Sequence, residues 1–148
     1  MYDSKEDTIK HIDNVRIFIN ELQQHLFDRT NTHDLSKLSE PEKAIFDEVT
    51  PKLAKLTYGS EEYKGQLKYM KVALDHHYTE NRHHPEHFEN GIKDMTLVDL
   101  CEMMADWKSA TLRHDNGDIY KSLEINQKRF GYSDDMKQIF KNTVKLFD

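Results

Sequence analysis

Apolar residues in this chain recur every three or four positions and nowhere alternate with polar ones, and that spacing commits it to helices. Ile12, Val15, Ile19, Leu22 and Leu26 form one such stripe, and Met136, Ile139, Phe140, Val144 and Phe147 another. No stretch combines alternation with β-branched enrichment, so no sheet is expected. The punctuation fits the same reading. Ser4 opens a first helix running to about Phe27, and the polar stretch Asp28 to Thr32 breaks it. Ser39 with Glu42 has the form of a capping box for a helix through Val49. Thr50-Pro51 reads as a further cap with proline in the first turn, and Tyr58-Gly59-Ser60 ends that segment. Ser60 begins a longer helix to about Tyr78, and Thr79 to Asp94 is mostly loop. Asp94 or Thr96 caps a helix through Ala110, Asn116-Gly117-Asp118 makes a turn, and Gly131 with Ser133 separates two closing helices. The expected architecture is all-α: one compact bundle of about six helices over residues 1–148, a length that buries a core of its own.

Composition narrows the function classes. The longest apolar run is three residues, Ile17-Phe18-Ile19, so neither a transmembrane helix nor a signal peptide is expected. A single cysteine cannot staple the fold, which suits a reducing, cytoplasmic setting. The formal net charge of −6 argues against gripping extended nucleic acid, whereas a small anionic ligand at a metal ion remains compatible with it. Homo-oligomerisation is left open. What needs a reason is histidine: nine in all, five of them between His76 and His87.

Several residues suggest a metal centre. His11 lies one turn before Val15, near the side of the first helix expected to be buried. His33-Asp34 offers an imidazole and a carboxylate side by side, a mixture suited to Mn, Fe, Co, Ni or Zn. Lys37 sits one helical turn further on. His76 and His77 close the long helix on neighbouring stripes, so one of them faces inward, and periodicity does not decide which. Asp106 stands in the apolar run Met103-Met104-Ala105-Asp106-Trp107, where a carboxylate is costly unless paired or bound to a cation. His25 and His114 read as ordinary surface residues.

The order His11, His33-Asp34, Asp106 resembles the His…His-Asp…Asp signature of the HD superfamily of metal-dependent phosphohydrolases, which are helical bundles. His33-Asp34-Leu35-Ser36-Lys37 is similar to the lysine-containing form found in its cyclic-dinucleotide phosphodiesterases, where a His-His pair also precedes the last aspartate. The Gly-Tyr-Pro segment of those enzymes is absent, and no histidine falls between His33 and His76. Over nearly its full length the chain is similar to an uncharacterised family of small bacterial and phage HD-like proteins. The shared blocks are His33 to Lys37, His76-His77, Asn81 to Phe88, and Glu102 to Trp107.

The resemblance implies a hydrolase of a nucleotide or related small phosphoester. Its divalent ion (Mn, Fe, Co, Ni, Zn or Mg) would be held by His11, His33, Asp34, Asp106 and a member of the His76-His77 pair. Asp34 and Lys37 would serve catalysis, Arg82, His83, His84 and His87 would meet substrate, and Glu102 and Asp99 would orient ligands. Tyr78 or Phe88 is placed to stack a base. An HD-type di-iron oxygenase and a non-catalytic nucleotide-sequestering protein are the alternatives.

Overall fold

The computed structural model describes residues 2–53, 55–56, 60–113 and 117–147, the side chains of 63 and 64 excepted. Within them are seven α-helices, four short 3-10 turns and no strand. The expected features at Tyr58-Gly59, His114, Asn116 and the Tyr63 side chain lie outside the described residues. The chain divides into two units, residues 1–33 and 34–148.

The first unit is one helix, α1 (Lys5–Thr32). It does not end at Phe27, because the residues expected to break it bond back onto it instead. Thr30 Oγ1 and Asn31 Nδ2 donate to the Phe27 carbonyl at 2.7 and 2.9 Å, and Thr32 Oγ1 donates to that of Asp28 at 3.0 Å. At the other end Ser4 makes no side-chain cap and receives Thr8 N–H on its own carbonyl at 2.9 Å. No residue of α1 is buried, and His11 is exposed.

The second unit begins at Asp34, whose φ of 58° puts a non-glycine residue in the left-handed region. Aspartate tolerates this better than most residues. A 3-10 turn over Leu35–Leu38 follows, and then α2 (Glu42–Leu53). No capping box forms: Ser39 Oγ turns to the Ser36 carbonyl at 3.3 Å, and Glu42 is buried. Pro51 lies inside the last turn of α2 rather than opening a helix. The long helix expected from Ser60 is two, α3 (Glu61–Tyr69) and α4 (Lys71–Glu80), kinked at Met70 while hydrogen bonds run on through the joint. α2 packs on α4 and on the Leu35–Leu38 turn, with Val49, Met70 and Ala73 buried.

The loop after α4 holds two 3-10 turns, Pro85–His87 and Gly91–Asp94. Thr96 then caps α5 (Leu97–Thr111) in a full capping box with Asp99. Asp118 caps α6 (Ile119–Phe130), Gly131 ends it at a φ of 68°, and Ser133 caps α7 (Asp134–Val144). α5, α6 and α7 enclose the main core: Leu100, Met103, Met104, Ile119, Leu123, Tyr132, Phe140 and Val144. Trp107 stacks on Phe130 and meets Phe140 edge-on beside it.

Asp99 ties the histidine loop to this core, and the tie is pH-dependent. Burial pushes its carboxyl upward, but bonds from Thr96 and Arg82 outweigh that and hold it below its ordinary 3.8. A carboxyl lowered by folding stabilises above its unfolded value, and that contribution is lost as the pH falls through the folded one. Urea unfolding at pH 6 is expected to find Asp99→Asn weaker than wild type by about 1–3 kcal/mol. The gap should narrow steadily below pH 3.8. A gap unchanged at pH 3 would mean that Asp99 acts by packing alone.

Candidate metal centre

The site assembles from three segments of the second unit. The turn at Asp34 supplies a carboxylate, the last turn of α4 supplies His77, and the loop beyond it supplies His83 and His84. One ligand atom from each lies within 4.8 Å of all the others. Asp34 Oδ1 is 3.3 Å from His77 Nε2 and 3.4 Å from His83 Nε2, and the Nε2 atoms of His77 and His84 are 2.9 Å apart. Ligands about 2.0–2.1 Å from a tetrahedral ion stand about 3.3 Å from one another, so these separations are those of a coordination shell.

The far side of each ring decides what its near side offers. His77 Nδ1 is 2.9 Å from Glu42 Oε2, and His83 Nδ1 is 3.1 Å from Glu102 Oε1. A carboxylate accepts, so His77 Nδ1 donates to Glu42 and its Nε2 is left to present a lone pair. Asn81 Nδ2 also lies 3.0 Å from His77 Nδ1, but it donates to Ser36 Oγ and to the His77 carbonyl, both at 2.8 Å. A nitrogen lone pair of His77 and a carboxylate oxygen of Asp34 thus face one another. Acceptors facing one another repel unless a cation lies between them, and a carboxylate behind the histidine is the usual support of a metal-bound imidazole. Burial pushes His84 down to about 2, with His83, His77 and Lys37 acting in the same direction against Asp34. It is therefore a neutral imidazole, the form that ligates.

Glu42 is the residue that sequence reasoning missed. Fully buried, it spans His76 Nδ1 at 2.8 Å and His77 Nδ1 at 2.9 Å, so one carboxylate fixes both members of the pair. This decides between them: His77 turns into the cluster, while His76 stays partly exposed on the outer oxygen of Glu42. The signal was present in the sequence, since adjacent histidines closing a packed helix need an acceptor. The capping-box pattern hid it.

The other expected residues divide. Lys37 is in place, with Nζ 2.5 Å from Asp34 Oδ2. Asp106, half-buried on α5, brings a carboxylate oxygen within 4.8 Å of one from Asp34. Glu102 orients His83 as expected, whereas Asp99 serves α5 and Arg82. His83 and His84, expected to meet substrate, each bring a ring nitrogen within 4.8 Å of Asp34 and His77.

Arg82 makes two 3.2 Å bonds to Asp99 and lies over the Phe88 ring, so it clamps the loop to α5. His87 Nδ1 donates to the Tyr78 carbonyl, 3.0 Å away. It lines an open cleft of about 560 Å³ with Asp75, Tyr78, Thr79 and Glu86, whose two carboxylates do not suit an anion. His33 caps α1 and is joined directly to Asp34. His11 is exposed on the same continuous helix, 22 positions earlier and so about 33 Å along its axis. His11 and His33 of one chain therefore cannot hold one ion.

The fold and site define a class: an all-helical protein with a partly buried histidine–carboxylate cluster whose ligand atoms lie close enough together to hold a metal ion. The chain belongs to the family described as a family of unknown function, DUF5662, whose model matches residues 1–146. No curated protein matches the chain, and no solved structure does. Among the described residues no helix is long and apolar enough to cross a membrane.

Proposed function

We propose that this protein is a metal-dependent phosphohydrolase acting on a nucleotide or a related small phosphoester. The observation that carries the reading is the convergence of His77, His83, His84 and Asp34, with Glu42 and Glu102 behind two of the rings. Three imidazoles and one carboxylate suit Zn, Fe, Co, Ni or Mn better than Mg, which prefers all-oxygen sites. An ion held there supplies Lewis acidity and lowers the pKa of water near it.

The chain's own groups supply the rest. Lys37 is the cation closest to Asp34 and offsets negative charge building on a phosphoryl group. Asp106, across from Asp34, accepts the proton of an attacking water. Both bring a polar atom close to Asp34.

The test is turnover of a nucleotide and phosphodiester panel by protein loaded with Mn, Co, Fe or Zn. Release of phosphate or a monophosphate is expected, with Lys37→Ala lowering kcat about 100-fold and leaving bound metal unchanged. Metal-loaded protein that turns over none of the panel overturns the reading. If it instead returns a nucleotide unaltered, the sequestering alternative gains. Three histidines at one centre also suit redox iron, so anaerobic iron loading followed by exposure to oxygen separates an oxygenase from a hydrolase.

A further inference from the structure

We propose that α1 is the seam of an antiparallel dimer between two copies of this chain. The inference is independent of the metal centre. Ile12, Val15, Ile19 and Leu22 of this 28-residue helix are all exposed, between 41% and 51%. With Leu26 they follow a strict three–four alternation, the a and d positions of a heptad, and Ile9 and Phe18 flank the stripe. A surface helix hides its apolar stripe against something, and a seam with this period is the face that another helix fills by knobs-into-holes packing. A 28-residue helix is about 42 Å long, enough to carry this seam over three a–d repeats.

Charge selects the direction. In a parallel pair Arg29, the next d position, would face Arg29 of the partner subunit, and two bodies of like net charge would hang from the same end. In the antiparallel register Ile19 packs on the partner's Leu22, Val15 on the partner's Leu26, and the aliphatic stem of Arg29 on the partner's Ile12. The helix dipoles then oppose one another. This register also sets His11 of the partner subunit beside the last turn of α1, next to His33.

Light scattering on the full chain tests the association. The expected mass is twice 17.6 kDa, falling to the single-chain value in Ile19→Glu with helical content retained. Direction is tested by crosslinking in a Cys101→Ser background. Chains bearing Val15→Cys mixed with chains bearing Leu26→Cys should form a mixed disulfide, while Val15→Cys alone should not. A wild-type monomer at micromolar concentration overturns the proposal and leaves α1 covered by its own chain. A dimer that persists in Ile19→Glu places the interface elsewhere and overturns it equally, and disulfides between two Val15→Cys chains overturn the antiparallel register.

Discussion

Protein carrying His83→Ala is expected to lose its bound transition metal, from about one ion per chain to a level below a tenth of that, while His11→Ala keeps it. The contrast separates two readings of the same sequence. The motif reading puts His11 and His33 on one ion. The continuity of α1 through Thr32 places them about 33 Å apart along the helix, so His11 can be removed without touching the shell. His83 is nearly fully buried, its Nε2 is 3.4 Å from Asp34 Oδ1, and Glu102 holds its other nitrogen. Removing it takes away a ligand and strands a carboxylate, and a shell reduced to two nitrogens and one oxygen binds far more weakly. Elemental analysis after dialysis against a mild chelator is the measurement. Equal metal content in His83→Ala and wild type would place the ion somewhere other than this cluster.

Much of the fold was legible because helix spacing and capping are local. Thr96, one of two caps expected for its helix, does cap it, and Asp118, Gly131 and Ser133 fall at the helix boundaries where the sequence put a turn and a break. The misjudged boundaries have one cause, side chains that took partners other than the ones sequence offers. Thr30, Asn31 and Thr32 bonded back onto α1 and prolonged it, and Glu42 left the helix terminus for two histidines.

Those two departures also account for what went astray at the site. With α1 ended at Phe27, His11 can be imagined folding back; with α1 continuous, it cannot. With Glu42 assigned to a cap, nothing marks His77 as inward. The burial within the histidine loop was not legible, for a related reason. Asn81 to His87 is polar enough to pass for a solvated segment, yet Asn81, His83 and Pro85 are buried. Every second residue turns in, an alternation of burial that polar composition conceals. Asp34 was legible because it sets a carboxylate beside an imidazole, and Glu102 only through what the resemblance implies.

Glu42 carries the second large effect, and here the choice of replacement matters more than the loss itself. Glu42→Ala removes the acceptor of two imidazoles at a fully buried position, and at about 1.5 kcal/mol for each bond to a charged group it should cost about 3 kcal/mol of stability. For a chain of this length that is a fall of about 9 °C in Tm, read by calorimetry. Glu42→Gln fills the same space but offers one acceptor and one donor where both histidines need an acceptor. If its amide nitrogen meets His77 Nδ1, that ring must move its proton to Nε2, the atom aimed at Asp34 and His83. If it meets His76, the penalty falls on the partly exposed ring, which water can satisfy. Folding therefore tolerates the amide better than alanine, whereas metal affinity still falls about 10- to 100-fold, since the charge that polarises His77 is gone. Competition against a chromogenic chelator measures the affinity. Glu42→Gln binding metal as tightly as wild type would mean that the carboxylate serves packing alone.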